Sequence, residues 1–178
     1  MPSSPGRALV VGGGAFGLTA ALELRQRHWR VTLLDAGRIP ATGAASGDVS
    51  RIVRMDYGTD AFLTELAEVA LAGWHAWNAR WERALYHEVG FLLLRRDPPR
   101  PGTFEHESRR TLEARGHAVQ PVDAGWVGRR FPAWHASAWG HGYYNPRAGW
   151  AEAGEVVRHL AQDARLAGVR ICEDVAVT

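Results

Sequence analysis

The chain is poor in the features that mark several protein classes. A single cysteine, Cys172, excludes an internal disulfide or a cysteine zinc site and suits a reducing cytoplasm. No apolar run approaches the roughly 18 residues of a membrane span, and the opening MPSSPGR carries no targeting pattern before the first strand, so no membrane is expected. Neither sign of charge dominates: 21 basic and 19 acidic side chains give a net charge of +2. The basic residues are scattered, which argues against a nucleic-acid face. His135 and His141 have no carboxylate or cysteine at ligand spacing, so no metal is expected. Internal repeats and low-complexity segments are also missing. The 178 residues suffice for one domain with a real core or for part of a larger two-domain enzyme.

Against this background, residues 7–35, RALVVGGGAFGLTAALELRQRHWRVTLLD, spell out a nucleotide-binding β-α-β unit. The apolar run Ala8 to Val11 is too short for a helix and ends in three glycines, as a buried parallel strand does. Gly12, Gly14 and Gly17 satisfy G-x-G-x-x-G: the first for a tight turn, the second for approach of a pyrophosphate, the third for close contact of helix and strand. A helix opening near Ala15 aims its unpaired N–H groups and positive dipole end at the phosphates. Its inner face is read as Leu18, Ala21, Leu22 and Leu24. A second strand, Arg30 to Leu34, ends at Asp35, about 20 residues on, where a carboxylate accepts the hydroxyls of an adenosine ribose. His28 stands where the helix-to-strand turn often has glycine and is read as a strained turn, not a ligand.

Residues 36–50 are small and polar, a loop that either lets backbone approach a bulky group or is simply a flexible surface segment. Arg51 and Arg54 share a face only if the backbone between them is helical. A helix is expected from Thr59 or Asp60, with Phe62, Leu66, Val69, Ala70, Gly73, Trp74, Trp77 and Trp81 as its core-facing stripe. Residues 86–96 read as a strand pair or one strand bent at Gly90, and residues 97–102 as a proline-rich turn. Thr103 caps a helix to Arg115 closed by Gly116, and Val119 to Asp123 is a short strand. The aromatic stretch that follows is the least regular. An amphipathic helix then places Val156, Val157, Leu160, Ala161 and Ala164 inward, with Gly168 at its end. Val169 to Cys172 follows as a strand, and a further strand is expected from Val175.

Four stretches together carry a resemblance: VVGGGAFGLTAALEL with Asp35, SGDVSRIVRMDYG, YHEVGFLLL, and GYYNPRAGWAEAGEVVRHLAQDARLAGVRI. In that order the chain resembles the N-terminal half of the FAD-dependent amine oxidases of the D-amino acid oxidase superfamily, among them the sarcosine, pipecolate, saccharopine and fructosyl-amine oxidases. The resemblance implies an α/β fold in which a Rossmann-like FAD-binding domain, residues 1–58 and 149–178, is interleaved with part of a mixed-sheet substrate domain, residues 85–148, through a connecting helix at 59–84. It implies FAD as cofactor, with contacts from Gly12, Gly14, Ala15, Phe16, Gly17, Asp35, Ser46, Gly47, Arg51 and Val175. By motif, Arg51 lies by the flavin ring and Arg54 binds the substrate carboxylate. A guanidinium fork fits a carboxylate, and fixed positive charge favours a reduced anionic ring. Surface salt bridges are the competing reading of the arginine pair.

Family members are considerably longer, and their later half supplies further FAD contacts, an oxygen-activating lysine and much of the pocket. The chain is therefore expected to be a fragment of a longer reading frame or one of two complementary polypeptides. Cys172 is not at the family's flavin-attachment position. Three functions stay open: an oxidase acting on the C–N bond of a secondary or N-substituted amino acid, with oxygen as acceptor and hydrogen peroxide as product; a dinucleotide-binding fragment without turnover; and an NAD-dependent dehydrogenase. An unpaired sheet edge at the end of the chain is expected to promote self-association.

Overall fold

The computed structural model describes residues 6–177, the side chain of Ala136 excepted; most of the N-terminal run scanned for a targeting pattern, and Thr178, lie outside this range. In chain order the elements are β1 (Arg7–Val11), α1 (Ala15–Gln26), β2 (Arg30–Leu34), β3 (Arg51–Val53), α2 (Ala61–Arg80), β4 (Tyr86–His87), β5 (Phe91–Arg95), α3 (Phe104–Ala114), β6 (Gln120–Asp123), α4 (Ala124–Arg130), β7 (His141–Asn145), β8 (Gly149–Ala151), α5 (Ala153–Leu166) and β9 (Arg170–Cys172). They divide into two compact units, residues 1–51 with 151–178, and residues 52–150.

The first unit is a parallel sheet in the order β1-β2-β9, with Ala8 opposite Val31, Val10 opposite Leu33 and Leu33 opposite Ile171. Strand alternation sends these side chains to one face, where Val31 and Leu33 are buried. Leu18 and Ala21 of α1 are buried with Val156, Val157, Leu160, Ala161 and Ala164 of α5, as their helical spacing predicts, while Leu22 and Leu24 are half-buried. The opposite face carries Leu9 and Val11, which are 61% and 62% exposed.

Both helices end in the same way. At the end of α1, Trp29 N–H donates to Leu24 O at 3.0 Å and His28 N–H to Arg25 O at 2.9 Å, with His28 at φ 64°. This is the six-residue C-terminal lock that normally uses glycine, and α5 has glycine there: Gly168, at φ 82°. The strained turn expected at His28 is therefore present. Arg25 joins the two ends, donating to Ala167 O and Trp29 O.

The second unit holds two three-stranded sheets, β3-β8-β4 and the antiparallel β5-β7-β6. Gly90, at φ 88°, lets the chain leave β4 for β5, and the Tyr144 ring fills the space a side chain there would need. Met55, Leu71, Tyr86, Leu112 and Tyr143 form the core. The 97–102 turn and the helix closed by Gly116 are as expected.

Three expectations are corrected. Asp60 caps α2, its carboxylate accepting Leu63 N–H at 2.9 Å, yet the buried side of that helix is Thr64 and Leu71 with Ala67 and Trp74 beside them. Phe62 and Val69 are 67% and 69% exposed. The helix is apolar nearly all round, so its period does not select a face; Trp77 and Trp81 are half-buried and stack on each other. The stretch read as irregular contains α4, capped by the Asp123 carboxylate on Trp126 N–H at 2.7 Å, and also β7, while residues 149–151, read as the opening of the amphipathic helix, form β8. No strand forms over residues 175–177. Asp174, at φ 59°, turns the chain so that Val175 N–H donates to Asp35 O at 2.8 Å. Among the described residues no helix is long and apolar enough to cross a membrane.

Candidate functional site

In the first unit, the loop between β1 and α1 owes its path to its glycines. Gly12 sits at φ 102°, a conformation L side chains rarely adopt. A Cβ at Gly17 would collide with the carbonyl oxygen of Gly12, so only glycine lets α1 start this close to β1. Gly14 differs: its φ of −77° is open to any residue, and an added Cβ would meet only the Ser46 hydroxyl, 2.9 Å away. Gly12 and Gly17 are thus required by the chain itself, whereas Gly14 keeps open the space in front of the helix.

That space is lined by donors. The α1 N-terminus has no side-chain cap and no acidic residue in its first turn. Ala15 N–H donates to Ser46 Oγ at 3.3 Å, a long bond that a stronger acceptor could replace. Phe16 is almost wholly exposed beside it. The free N–H groups, the dipole and the missing Cβ fit a pyrophosphate. Asp35 closes the loop from below, Oδ2 accepting Gly13 N–H at 2.6 Å and Oδ1 accepting Gly37 N–H at 2.9 Å. A carboxylate has about four acceptor positions, so lone pairs remain for ribose hydroxyls. Gly47 lies where a side chain would strike Ala41 O, and the next residue, Asp48, accepts Gly154 N–H at 2.9 Å through its carbonyl. Arg51 is tied to the same loop, Nε to Ala45 O at 2.6 Å and Nη1 to Asp48 at 2.8 Å. Cys172 is a half-buried free thiol on β9.

In the second unit, Arg54 follows β3, and its guanidinium lies among three rings, 5.0 Å from the Tyr57 centroid, 5.6 Å from Phe104 and 5.7 Å from Phe91. Aromatic faces hold a cation in place but accept no conventional hydrogen bond. Nη1 is buried without a partner. A charged donor left so is costly unless an anion completes it, and a planar fork suits a carboxylate. Two residues on is buried Asp56, which accepts from Tyr143 Oη at 2.6 Å and Asn145 Nδ2 at 3.1 Å. Burial and the Asp56 charge push the Tyr143 phenol well above its ordinary value, so it stays protonated and donating. Burial, with help from Glu88, pushes Tyr86 up to about 12.

Sequence reading singled out Arg54 but not its enclosure. Tyr57 lies one helical turn away in sequence, whereas Phe91, Phe104, Tyr143 and Asn145 arrive from β5, α3 and β7, which only the fold brings together. Among the described residues no cluster of His, Cys, Asp or Glu could hold a metal ion.

Residues 7–178 match the family described as DAO, FAD dependent oxidoreductase. Among curated proteins, the chain is similar to the L-saccharopine oxidase of Schizosaccharomyces pombe, 31% identical over 58% of this chain and 24% of the relative. It is also similar to the amino acid oxidase imqH of Aspergillus flavus, 27% identical over 98% of this chain and 45% of that one. The tRNA 5-methylaminomethyl-2-thiouridine biosynthesis bifunctional protein MnmC of Thiobacillus denitrificans is 30% identical over 88% of this chain and 25% of its own length. The chain thus spans less than half the length of these relatives. The same fold occurs in L-proline dehydrogenase from P. horikoshii, with a TM-score of 0.83 at 20% identity, covering 100% of this chain and 46% of that one. Glycine oxidase from Geobacillus kaustophilus gives 0.81 at 23% identity, covering 97% and 48%.

Proposed function

Because the chain belongs to the DAO family of FAD-dependent oxidoreductases, we propose that its first unit is the FAD-binding part and its second unit part of a substrate domain, in a protein that oxidises the C–N bond of a secondary or N-substituted amino acid. Oxygen is the final acceptor in this reading and hydrogen peroxide the product. FAD is the family's cofactor, which displaces the NAD-dependent alternative. When bound, it supplies the two-electron acceptor for a hydride from the carbon next to nitrogen.

The chain's own residues bind and orient. Backbone N–H groups at Gly14 and Ala15, with the α1 dipole, hold the pyrophosphate; Asp35 takes the ribose; Ser46 and Gly47 shape the loop alongside, and Val175 fixes the backbone beside Asp35. Arg51, already braced by Ala45 and Asp48, presents positive charge to the flavin ring. Arg54 takes the substrate carboxylate. The observation that carries this role is the buried Nη1 with no acceptor inside an aromatic enclosure.

Replacing Arg54 by Lys tests it in a protein that turns over. The ammonium cannot make the bidentate fork, so KM for amino acids should rise about tenfold or more while amines without a carboxylate change little. Equal losses for both kinds of substrate would remove Arg54 from this role.

Self-association belongs to the same reading, through the β1 edge and not through the strand expected from Val175, which does not form. Among the described strands β1 pairs with β2 alone, and its exposed Leu9 and Val11 sit beside that open edge.

A further inference from the structure

Asp56 is wholly buried, and so are the two side chains that hold it. Tyr143 occupies one carboxylate oxygen and Asn145 the other, both from β7. Ser108, also wholly buried, accepts Gly58 N–H at 2.8 Å two residues after Asp56. Two residues before Asp56, Arg54 keeps a buried Nη1 that bonds to nothing. Phe91, whose ring centroid lies 5.7 Å from the Arg54 guanidinium, is the cross-strand partner of Asn145, so Arg54 and the Asp56 cluster share one neighbourhood. A buried cation close to a buried anion would ordinarily pair with it directly, because bidentate guanidinium–carboxylate contact offsets the desolvation of both. Here the two carboxylate oxygens are taken by Tyr143 and Asn145, and Arg54 Nη1 has no partner.

We propose that Tyr143 and Asn145 are positioning residues that hold the Asp56 carboxylate off Arg54, so that the guanidinium stays free for an incoming carboxylate instead of being quenched from within. This rests on the carboxylate role given to Arg54 above. Asp56 then has two opposed effects. Restrained, it only weakens anion binding through its charge; released, it competes for the fork itself. Removing the restraint and removing the charge must therefore move affinity in opposite directions.

The test is an NMR titration of the 178-residue chain with acetate, following the Arg54 Nε–H resonance, in the parent, Tyr143→Phe, Asp56→Asn and the double variant. Tyr143→Phe should need about tenfold more acetate, the equivalent of one hydrogen bond to a charged group. Asp56→Asn should bind at least as tightly as the parent, and the double variant should match Asp56→Asn, since nothing is left to compete. A structure of Tyr143→Phe should show Asp56 turned onto Arg54 Nη1. Parent-like acetate binding by Tyr143→Phe, weakening of both single variants alike, or Asp56 unmoved in that structure would each overturn the proposal. A parent that ignores acetate while Asp56 does turn onto Arg54 in Tyr143→Phe would instead remove the carboxylate role of Arg54 and leave the restraint standing.

Discussion

Gly17→Ala is the sharpest perturbation of the loop proposed to hold the dinucleotide. The added Cβ points at the carbonyl oxygen of Gly12, which is backbone and is held in turn by Gly12 N–H donating to Leu34 O at 2.8 Å. Neither side can rotate away, so α1 must move outward from β1. That movement would loosen Leu18 and Ala21, both fully buried. Forcing one extra methyl into such a contact costs about 1–3 kcal/mol, and alanine's better helix propensity returns less than about 1. For a chain of this size the net loss corresponds to a fall in Tm of roughly 2–8 °C. Gly14→Ala is the control, because its Cβ meets only a hydroxyl that can turn aside, and its melting should shift by less than half as much. Thermal unfolding followed by circular dichroism measures both. A Gly17→Ala protein that melts with the parent, or a Gly14→Ala protein that loses as much as Gly17→Ala, would refute the division of these glycines into structural and ligand-facing roles.

Other outcomes follow from the same geometry. His28→Gly should stabilise the chain by about 0.5–1 kcal/mol in a denaturant titration, since His28 holds φ 64° and glycine relieves the left-handed penalty; a destabilised variant would mean that the imidazole makes an important contact. Glu68 accepts from Arg115 and His117, and the Arg115 bonds hold its carboxyl down to about 2 against an ordinary 4.5. A lowered value means that the contribution is full above the ordinary value and is lost as pH falls through about 2. The stability gap between parent and Glu68→Gln should therefore be on the order of 1 kcal/mol near neutrality, discounted for partial exposure, and should close on acidification; a gap that is flat with pH would contradict it. Leu9→Lys should reduce self-association in size-exclusion chromatography without lowering Tm, because the residue is exposed beside an open strand edge.

What could be read from sequence alone was what is local. In β1-α1-β2 each step is fixed by residues a few positions apart: a short apolar strand, glycines at set spacing, a helix stripe, then Asp35. The α5 stripe was equally legible, because its polar positions separate one face cleanly. α2 was legible as a helix but not in orientation, since apolar residues surround it and only contact with Met55 and Tyr86 selects Leu71 and Trp74. β7 was not legible at all. Its residues HGYYN have no clear alternation, and the strand exists because β5 and β6 pair with it on either side. α4 was hidden by its two glycines, and the cap that rescues it, Asp123, was read as the end of a strand. The same limit applies at the site. Ser46 and Asp35 belong to the segment that makes the loop, whereas the rings around Arg54 and the donors on Asp56 come from elements distant in sequence.

The most direct measurement is a titration of the purified chain with FAD, followed by the flavin absorbance and fluorescence changes on binding, beside Gly14→Val. Pyrophosphate held at the α1 N-terminus predicts weak but saturable binding by the parent, and its loss in Gly14→Val, whose branched side chain would fill the space in front of Ala15 while leaving the Gly12–Gly17 contact untouched. Gly14→Val binding FAD as the parent does, or a well-folded parent that never binds it, would contradict the assignment of this loop to the cofactor.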